Sequence, residues 1–207
     1  MRLILVRHGE TATDNPEKCH GFTDIDLSAA GYRQAEALQR RFANEHLDAV
    51  YCSTLIRGVN TASVVTRNHE VDLVRCDELN EVNFGLIETI TFEEACAIYP
   101  DVTELWRQGS TEICFPQGER FGDFDNRVKK FLDRLRHHGA DDTVMLVGHG
   151  GPFRILICHL LGIPLRHYWQ FRFSMASVSV VDIYPHGAML EFLNDLSHLQ
   201  DKEANNG

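Results

Sequence analysis

The sequence predicts an α/β sandwich in which helices flank a mostly parallel central sheet. Three observations favour this fold class. Short apolar runs of strand length alternate with longer segments whose apolar residues recur at helical spacing. Parallel strands need crossover connections, usually helices, so this alternation is typical of a parallel sheet. The length of 207 residues suits one domain, with enough chain to bury a core of two or three layers.

The first part of the chain is expected to contain three strands and two helices. Leu3 to Val6 form a continuous apolar run, which is typical of a strand buried on both faces. Two segments with apolar residues at helical spacing follow, and Ser53 or Thr54 can cap the second of them. The elements are predicted at residues 3–6 (strand), 29–43 (helix), 48–52 (strand), 57–65 (helix) and 73–75 (strand).

The later part of the chain holds the clearest helical periodicity. Apolar residues between Phe121 and Leu135 recur at helical spacing. Near the end, Pro185-His186-Gly187 separates two apolar runs, which indicates a hairpin. The elements are predicted at residues 119–137 (helix), 143–147 (strand), 152–161 (helix), and 178–184 and 189–193 (hairpin strands).

Composition and charge argue against several classes of protein. The formal net charge of −10 disfavours a nucleic-acid binder, and no stretch approaches the about 20 apolar residues that a membrane span needs. The 6 cysteines contain no C-x-x-C pair, so neither a zinc site nor a disulfide framework is indicated, and a reducing cytoplasm is the simplest location. No repeat or linker divides the chain. We therefore expect a single domain at 1–199 and a polar, disordered tail at 200–207.

Two histidine motifs lie where a parallel α/β sheet binds its ligands, at the carboxyl ends of the strands. Arg7-His8-Gly9-Glu10-Thr11 directly follows the first strand, and Gly148-His149-Gly150-Gly151 directly follows the strand that ends at Val147. Either histidine alone is compatible with a simple turn residue that caps or hydrogen-bonds. Together, at equivalent ends of two core strands, they indicate one shared functional site.

The segment Arg7–Thr11 resembles the R-H-G-x-[ST] signature of the histidine phosphatase superfamily, in its phosphoglycerate-mutase-like branch. The resemblance covers nearly the whole chain, and the other motifs occur in the family's order. A lone R-H-G would be a weak signal, but the ordered set is specific. The further motifs are Gly21–Ser28 (G-x-x-D-x-x-L-[ST]), Ser53–Ala62 (S-x-x-x-R-x-x-x-T-A), Leu79–Gly85 (L-x-E-x-x-F-G), Gly118–Phe121 and Gly148–Gly151.

The resemblance implies a three-layer, phosphoglycerate-mutase-like sandwich and a role for each site residue. His8 is the implied nucleophile, which forms a phosphohistidine, and Glu81 is the implied general acid and base. Arg7 and Arg57 suit a phosphate dianion, because planar guanidinium groups bind two oxygens at once. His149, expected to be cationic against the dianion, would hold one of its oxygens.

Two further residues, Thr23 and Asn15, are expected to contact the phosphate. Relatives usually carry asparagine where this chain has Asp14, and an aspartate facing phosphate would repel it. Either Asn15 takes the role by a local shift or that contact is absent. No metal or cofactor is expected, since no H-E-x-x-H motif exists, and the lack of a G-x-S-x-G elbow disfavours a serine hydrolase.

The reaction and substrate are less closely specified. The span between Glu81 and His149 is shorter than in cofactor-dependent mutases of the family, which favours hydrolysis and resembles the bacterial broad-specificity and alpha-ribazole phosphatases. The alternatives are a cofactor-dependent phosphoglycerate mutase, an alpha-ribazole phosphatase of cobalamin synthesis, and a catalytically silent phosphate-binding module. The silent module is disfavoured because all five core groups are present.

The expected partner is a small phosphomonoester rather than a nucleic acid or a membrane. Residues 86–118 are expected to form a lid, whose aromatic side chains either contact substrate or only pack the lid on the core. They are Phe92, Tyr99, Trp106 and Phe115. A homodimer could use the edge of the terminal hairpin or an apolar patch, although burial in the monomer core explains that patch equally well. The patch comprises Tyr168, Trp169, Phe171 and Phe173.

Overall fold

The computed structural model describes residues 1–13, 15 and 17–200. Six strands and six α-helices alternate over most of the described chain. The strands are β1 (Arg2–Arg7), β2 (Ala49–Cys52), β3 (Leu73–Arg75), β4 (Thr143–Gly148), β5 (Val178–Tyr184) and β6 (Gly187–Asp195). The α-helices are α1 (Ala29–Phe42), α2 (Ile56–Val65), α3 (Phe92–Ile98), α4 (Pro100–Arg107), α5 (Phe121–Leu135) and α6 (Gly150–Leu161).

The strands form one sheet in the order β3-β2-β4-β1-β5-β6. The first four of these strands are parallel to one another, whereas β5 is antiparallel to both β1 and β6. Strands β1 and β4 lie side by side near the middle, and Arg7 is in register with Gly148. The carboxyl ends of the two strands that precede the histidine motifs therefore meet at the same edge of the sheet.

Alternating residues of β1 belong to two separate cores, one on each face of the sheet. Leu3 and Leu5 pack in the cluster formed with α5, α6 and residues 86–118. Ile4 and Val6 pack in the cluster formed with α1 and α2. The fold is thus a three-layer sandwich with a mostly parallel central sheet, and the predicted fold class is confirmed. No helix among the described residues is long and apolar enough to cross a membrane.

Helix α2 begins at Ile56, and neither Ser53 nor Thr54 caps it, so that prediction is wrong. Both hydroxyls are already engaged by Asn80, whose side-chain oxygen accepts from Ser53 Oγ at 2.7 Å and from Thr54 Oγ1 at 3.1 Å. The backbone N–H of Ile56 instead donates to the carboxylate of Asp24 at 2.7 Å. A carboxylate near the helix N-terminus also interacts favourably with the helix dipole.

The segment expected as a lid contains α3 and α4, which the sequence analysis did not predict. Helix α3 starts with a capping box, in which Thr91 and Glu94 exchange side-chain and backbone hydrogen bonds, and Pro100 occupies the first position of α4. Trp106 of α4 stacks on Phe84, with ring centroids 5.0 Å apart. The short helices are therefore held to the core by aromatic packing.

Smaller differences concern the ends of elements and the aromatic patch. Strand β6 is longer than predicted, and α6 starts at Gly150 rather than Pro152. Of the expected tail at 200–207, residues 201–207 lie outside the described residues. Within the patch, Tyr168 and Phe173 are buried in the monomer core, whereas Trp169 is 52% exposed. Burial in the monomer accounts for much of this patch.

Candidate active site

The two histidines predicted to act together lie side by side where β1 and β4 end. Their ring centroids are 4.9 Å apart, and the backbone N–H of His8 donates to the carbonyl of Gly148 at 2.9 Å. His8 is 4% exposed and His149 is fully buried. The loop after β1 packs closely against the backbone of α1 at Gly9. A Cβ on Gly9 would lie only 2.6 Å from the carbonyl oxygen of Gly31, so this close approach requires glycine.

His8 is held in one tautomer by its neighbour. Its Nδ1 lies 2.7 Å from the carbonyl oxygen of Gly9, and a carbonyl only accepts, so Nδ1 carries the hydrogen. Burial lowers the pKa of His8 well below its ordinary value, and the charges of Arg7 and Arg57 lower it further, against a smaller opposing effect of the Gly9 carbonyl. The neutral ring then has its lone pair on Nε2, which is the form that a nucleophile requires.

His149 is held by a residue whose role the sequence did not reveal. Its Nε2 lies 2.8 Å from Ser53 Oγ, and Ser53 donates its own proton to Asn80, so it accepts from His149. Burial is the main cause that lowers the pKa of His149 well below its ordinary value, and Arg57 is the next. Desolvation beside positive charges favours the neutral ring in the free protein, whereas the prediction of a cationic His149 concerns the complex with a dianion and stays a prediction. A bound dianion would act in the opposite direction.

Two guanidinium groups face this site, and backbone carbonyls hold both of them. Arg57 is 1% exposed and donates to the carbonyls of Thr23 at 2.9 Å and Gly21 at 2.6 Å. Arg7 donates to the carbonyl of Phe173 at 2.5 Å. Burial lowers the pKa of each arginine, and the negative charge of Glu81 opposes this in both. Their positive charges thus remain available to a ligand.

Glu81 lies against the N-terminus of α6. Its carboxylate oxygens accept from the backbone N–H of Gly151 at 3.1 and 3.2 Å, and Oε1 also accepts from Val82 N–H at 3.0 Å. A Cβ on Gly151 would lie 2.0 Å from Oε1 of Glu81, so only glycine admits the carboxylate here. The structure thus joins the L-x-E-x-x-F-G motif to the second histidine motif.

Arg127 of α5 fixes the backbone that carries Glu81, and sequence reasoning missed this residue. Its guanidinium donates to the carbonyls of Asn80 at 2.7 Å and Glu81 at 2.8 Å, and it pairs with the Glu119 carboxylate at 2.7 Å. The G-E-R segment at 118–120 therefore supplies the counter-ion of a positioning arginine. Arg127 looks in the sequence like any charged residue of an amphipathic helix, so the sequence gives no signal for this role.

Glu88 organises the loop that binds Arg57. The carboxylate accepts from the backbone N–H groups of Phe22 at 2.7 Å and Thr23 at 2.6 Å, and from the Thr23 hydroxyl. The side chain of Thr23 is therefore engaged by Glu88 rather than free for phosphate. The backbone carbonyl of Thr23 contributes to the site, because it accepts a hydrogen bond from Arg57 and so holds that guanidinium in place.

The described hydrogen bonds of Asn15 are all local. Its side-chain oxygen accepts from the backbone N–H of Glu17 at 2.9 Å, as in an Asx turn, and its backbone N–H donates to Thr13. None of these contacts reaches the two histidines. Asp14, where relatives usually carry asparagine, lies outside the described residues, so its expected effect on phosphate stays a prediction.

A small cavity of about 70 Å³ opens next to Glu81. Most of its lining residues are aromatic, and the lid segment and α5 contribute several of them. One further charged side chain, Arg154 of α6, joins Glu81 on the wall. Trp106 and Phe115 line this cavity, so two of the four lid aromatics both pack and face it; Phe92 is 37% exposed at the surface. Glu81 therefore belongs both to the site around the histidines and to the wall of this cavity.

Comparison with known proteins agrees with this geometry. The sequence model of the histidine phosphatase superfamily (branch 1) matches residues 3–196. The chain belongs to this superfamily. It is 33% identical to phosphoserine phosphatase 1 of Hydrogenobacter thermophilus over 96% of this chain and 94% of that protein. It is 31% identical to the adenosylcobalamin/alpha-ribazole phosphatase of Escherichia coli K12 over 94% of this chain and 96% of that protein.

Solved structures of the superfamily have the same fold. The alpha-ribazole phosphatase from Shigella flexneri superposes with a TM-score of 0.86 at 31% identity, covering 94% of this chain and 96% of that one. YhfR of Bacillus stearothermophilus superposes with a TM-score of 0.88 at 26% identity, covering 96% of this chain and 99% of that one. The predicted family, fold class and phosphatase function are confirmed. The roles of individual residues remain predictions.

Proposed function

We propose that this phosphatase hydrolyses small organic phosphomonoesters through a phosphohistidine on Nε2 of His8, with Glu81 as general acid and base and without a metal ion. The hydrogen bond between His8 Nδ1 and the Gly9 carbonyl carries the proposal, because it leaves a lone pair on Nε2 of a neutral ring. That nitrogen lies among two guanidinium groups, as attack on a dianion requires.

The reaction proceeds in two displacements at phosphorus. First, the lone pair on Nε2 of His8 attacks phosphorus, the bond to the alcohol oxygen breaks, and the carboxyl proton of Glu81 passes to that oxygen. The carboxylate of Glu81 then takes a proton from water, whose oxygen attacks phosphorus. The nitrogen–phosphorus bond breaks, its electron pair returns to Nε2, and inorganic phosphate leaves.

The positive charge that a metal would bring to phosphoryl transfer is supplied here by Arg7 and Arg57. Arg57 uses three of its five N–H donors on backbone carbonyls, at 2.6 to 3.5 Å, and no other partner of it lies among the described residues. Within the same part of the chain, Nε of Arg7 and Nδ1 of His149 are buried without a hydrogen-bond partner. Buried polar atoms are normally paired. A phosphate oxygen would accept from Nε of Arg7, and it would accept from Nδ1 of His149 once the dianion draws a proton onto that ring.

Two findings support hydrolysis of a small ester in the cytoplasm. The relatives named phosphatases match nearly the full length of this chain, so no larger insertion covers the site. All six cysteines are free thiols, which suits a reducing compartment. An alpha-ribazole phosphatase is the second candidate, because several of the similar proteins carry that name.

The test is hydrolysis of a panel of esters by the pure protein in excess chelator, with His8→Ala and, as a control, the exposed-histidine variant His137→Ala. The panel contains phosphoserine, 3-phosphoglycerate, alpha-ribazole phosphate and p-nitrophenyl phosphate. We expect release of phosphate that survives the chelator and falls by about 10³-fold or more in His8→Ala only. Brief incubation with labelled ester should trap an acid-labile, base-stable phosphoenzyme in the wild type.

Each other outcome contradicts a stated part of the proposal. Activity that depends on added metal would contradict the metal-free mechanism. Turnover that is unchanged in His8→Ala, or a phosphoenzyme that persists in it, would contradict the nucleophile. Conversion of 3-phosphoglycerate to 2-phosphoglycerate without phosphate release would identify a mutase instead.

A further inference from the structure

Arg154 is the one basic side chain on the wall of the cavity beside Glu81, among the residues that the structure describes. It projects from α6 three residues after Gly151, whose backbone N–H binds the Glu81 carboxylate. Under the proposed mechanism, Glu81 must lie within hydrogen-bond reach of the leaving oxygen to protonate it. The organic part of the ester is therefore directed toward this cavity, and Arg154 meets that part rather than the phosphate.

The charge of Arg154 is poorly compensated within the protein. Its Nε donates to the carbonyl of Phe171 at 2.8 Å, and no other hydrogen bond or ion pair of this side chain is present in the described part of the chain. The group is half-buried, and its cavity walls include Phe84, Trp106 and Phe121. Arg154 also contributes to the lowered pKa of Arg7, after burial, so its charge is a third positive charge in the neighbourhood of Arg7 and Arg57.

A half-buried guanidinium with free donors and aromatic surroundings is costly unless a ligand pairs with it. A neutral alcohol would leave its terminal N–H groups without an acceptor. A carboxylate would accept two of them at once in the planar arrangement that arginine prefers. The position of the group, beside the proton donor, limits the separation between the ester oxygen and that carboxylate to a few bonds in a cavity of about 70 Å³.

We propose that Arg154 is a specificity residue that binds a carboxylate on the leaving group, so that the preferred substrates are phosphate esters of small hydroxy acids. This inference rests on the proposed function and narrows it to a substrate class. It ranks an O-phosphorylated hydroxy or amino acid above an ester of a neutral alcohol. A bulky nucleoside ester would extend beyond the cavity and gain little from Arg154.

The experiment compares pairs of esters that differ at the carboxylate position. Phosphoserine is paired with phosphoethanolamine, and 3-phosphoglycerate with glycerol 3-phosphate, and kcat and KM are measured for each. The variants are Arg154→Met, which removes the charge, Arg154→Lys, which keeps the charge without the planar group, and Arg172→Met. Arg172 is exposed and does not line the cavity, so its variant changes the net charge equally without touching the cavity.

We expect the wild type to prefer the carboxylate member of each pair in kcat/KM by about 10- to 100-fold, which is the range for a hydrogen-bonded charge pair. Arg154→Met should abolish that preference, Arg154→Lys should keep part of it, and Arg172→Met should keep all of it. The change should arise largely in KM, because the carboxylate contact is present before and during phosphoryl transfer.

Failure of this inference is distinguishable from failure of the proposed function. If the wild type hydrolyses the esters but shows no preference within the pairs, Arg154 does not select a carboxylate. A preference that survives in Arg154→Met contradicts the assignment in the same way. The wild-type and Arg154→Lys measurements decide the point even if Arg154→Met does not fold. No hydrolysis of any ester contradicts the proposed function, and this inference with it.

Discussion

The substitution Gly151→Ala should displace the Glu81 carboxylate while it leaves the stability of the fold nearly unchanged. The added Cβ would lie 2.0 Å from Oε1 of Glu81 and 3.1 Å from the ring of Phe124. Since the first atom is the end of a flexible side chain, the carboxylate can rotate away at low cost. It then loses the two hydrogen bonds from Gly151 N–H, at 3.1 and 3.2 Å, that hold it at the N-terminus of α6.

The expected effects on activity and stability have different sizes. A general acid contributes about 10² to 10⁴ in rate, so displacement of Glu81 should lower kcat/KM for alkyl phosphates by up to that factor. Replacing glycine by alanine inside a helix stabilises by about 0.5–1 kcal/mol, which offsets part of the local strain at Phe124. We therefore expect the free energy of unfolding to change by less than about 1 kcal/mol.

Gly122→Ala is a matched control, because Gly122 is the second residue of α5 as Gly151 is of α6. A Cβ at Gly122 would meet no atom within 4 Å. The assay measures kcat/KM for phosphoserine and the burst of p-nitrophenol from p-nitrophenyl phosphate, whose leaving group needs no proton. In Gly151→Ala, the burst should survive while the later hydrolysis slows. Activity of Gly151→Ala within threefold of Gly122→Ala on phosphoserine would refute the assigned role of Glu81.

Three further predictions concern the groups around the histidines. Ser53→Ala removes the acceptor of His149 Nε2 at 2.8 Å and should lower kcat about tenfold, measured with phosphoserine, whereas an unchanged kcat would show that the bond does not orient the ring. Asn194→Gly tolerates the backbone φ of 60° at this position but removes the side-chain oxygen that accepts from Ser174 N–H at 2.5 Å. Ser174 follows Phe173, whose carbonyl holds Arg7, so kcat should fall about fivefold and recover in Asn194→Asp, which keeps the oxygen. An equal loss of kcat in both variants would contradict a role of Asn194 in positioning Arg7. Folding lowers the pKa of His8 and of His149, so below pH about 6.5, the pKa of an unperturbed histidine, the unfolded chain binds more protons than the folded chain. The free energy of unfolding should therefore fall, as the pH drops below that value, by up to about 1.4 kcal/mol per pH unit for each histidine. Denaturant titrations at several pH values should show a smaller slope against pH in His8→Ala, and an equal slope would contradict the neutral ring.

The sheet and the meeting of the two histidines could be predicted because both depend on regular backbone. Leu3–Val6 and Val144–Val147 are continuous apolar runs, and a strand buried on both faces has that pattern. The structure pairs these two strands in parallel, and this pairing brings their carboxyl ends, with His8 and His149, together as expected. The helices α3 and α4 were not predicted because they are short and are held by tertiary packing: Trp106 of α4 stacks on Phe84, and Phe92 of α3 packs on Trp106.

The residues that hold the site could not be predicted in the same way. Arg127 and Glu88 bind backbone carbonyls and N–H groups of distant segments, and every residue type offers such groups. Contacts of this kind therefore leave no recognisable pattern of residue types in the sequence. The capping of α2 failed for a related reason, since Ser53 could serve either the helix or Asn80, and only the tertiary structure decides between them.

The same preference for backbone partners explains how an acidic protein binds an anion. The chain carries a formal net charge of −10, which repels phosphate at long range. A carboxylate paired with Arg57 would have neutralised the site, but Arg57 is held by the carbonyls of Gly21 and Thr23, and Glu88 is turned to the N–H groups of that loop. Carbonyl dipoles fix the guanidinium without cancelling its charge. A desolvated cation of this kind attracts a dianion strongly at short range, where the low local dielectric strengthens the interaction.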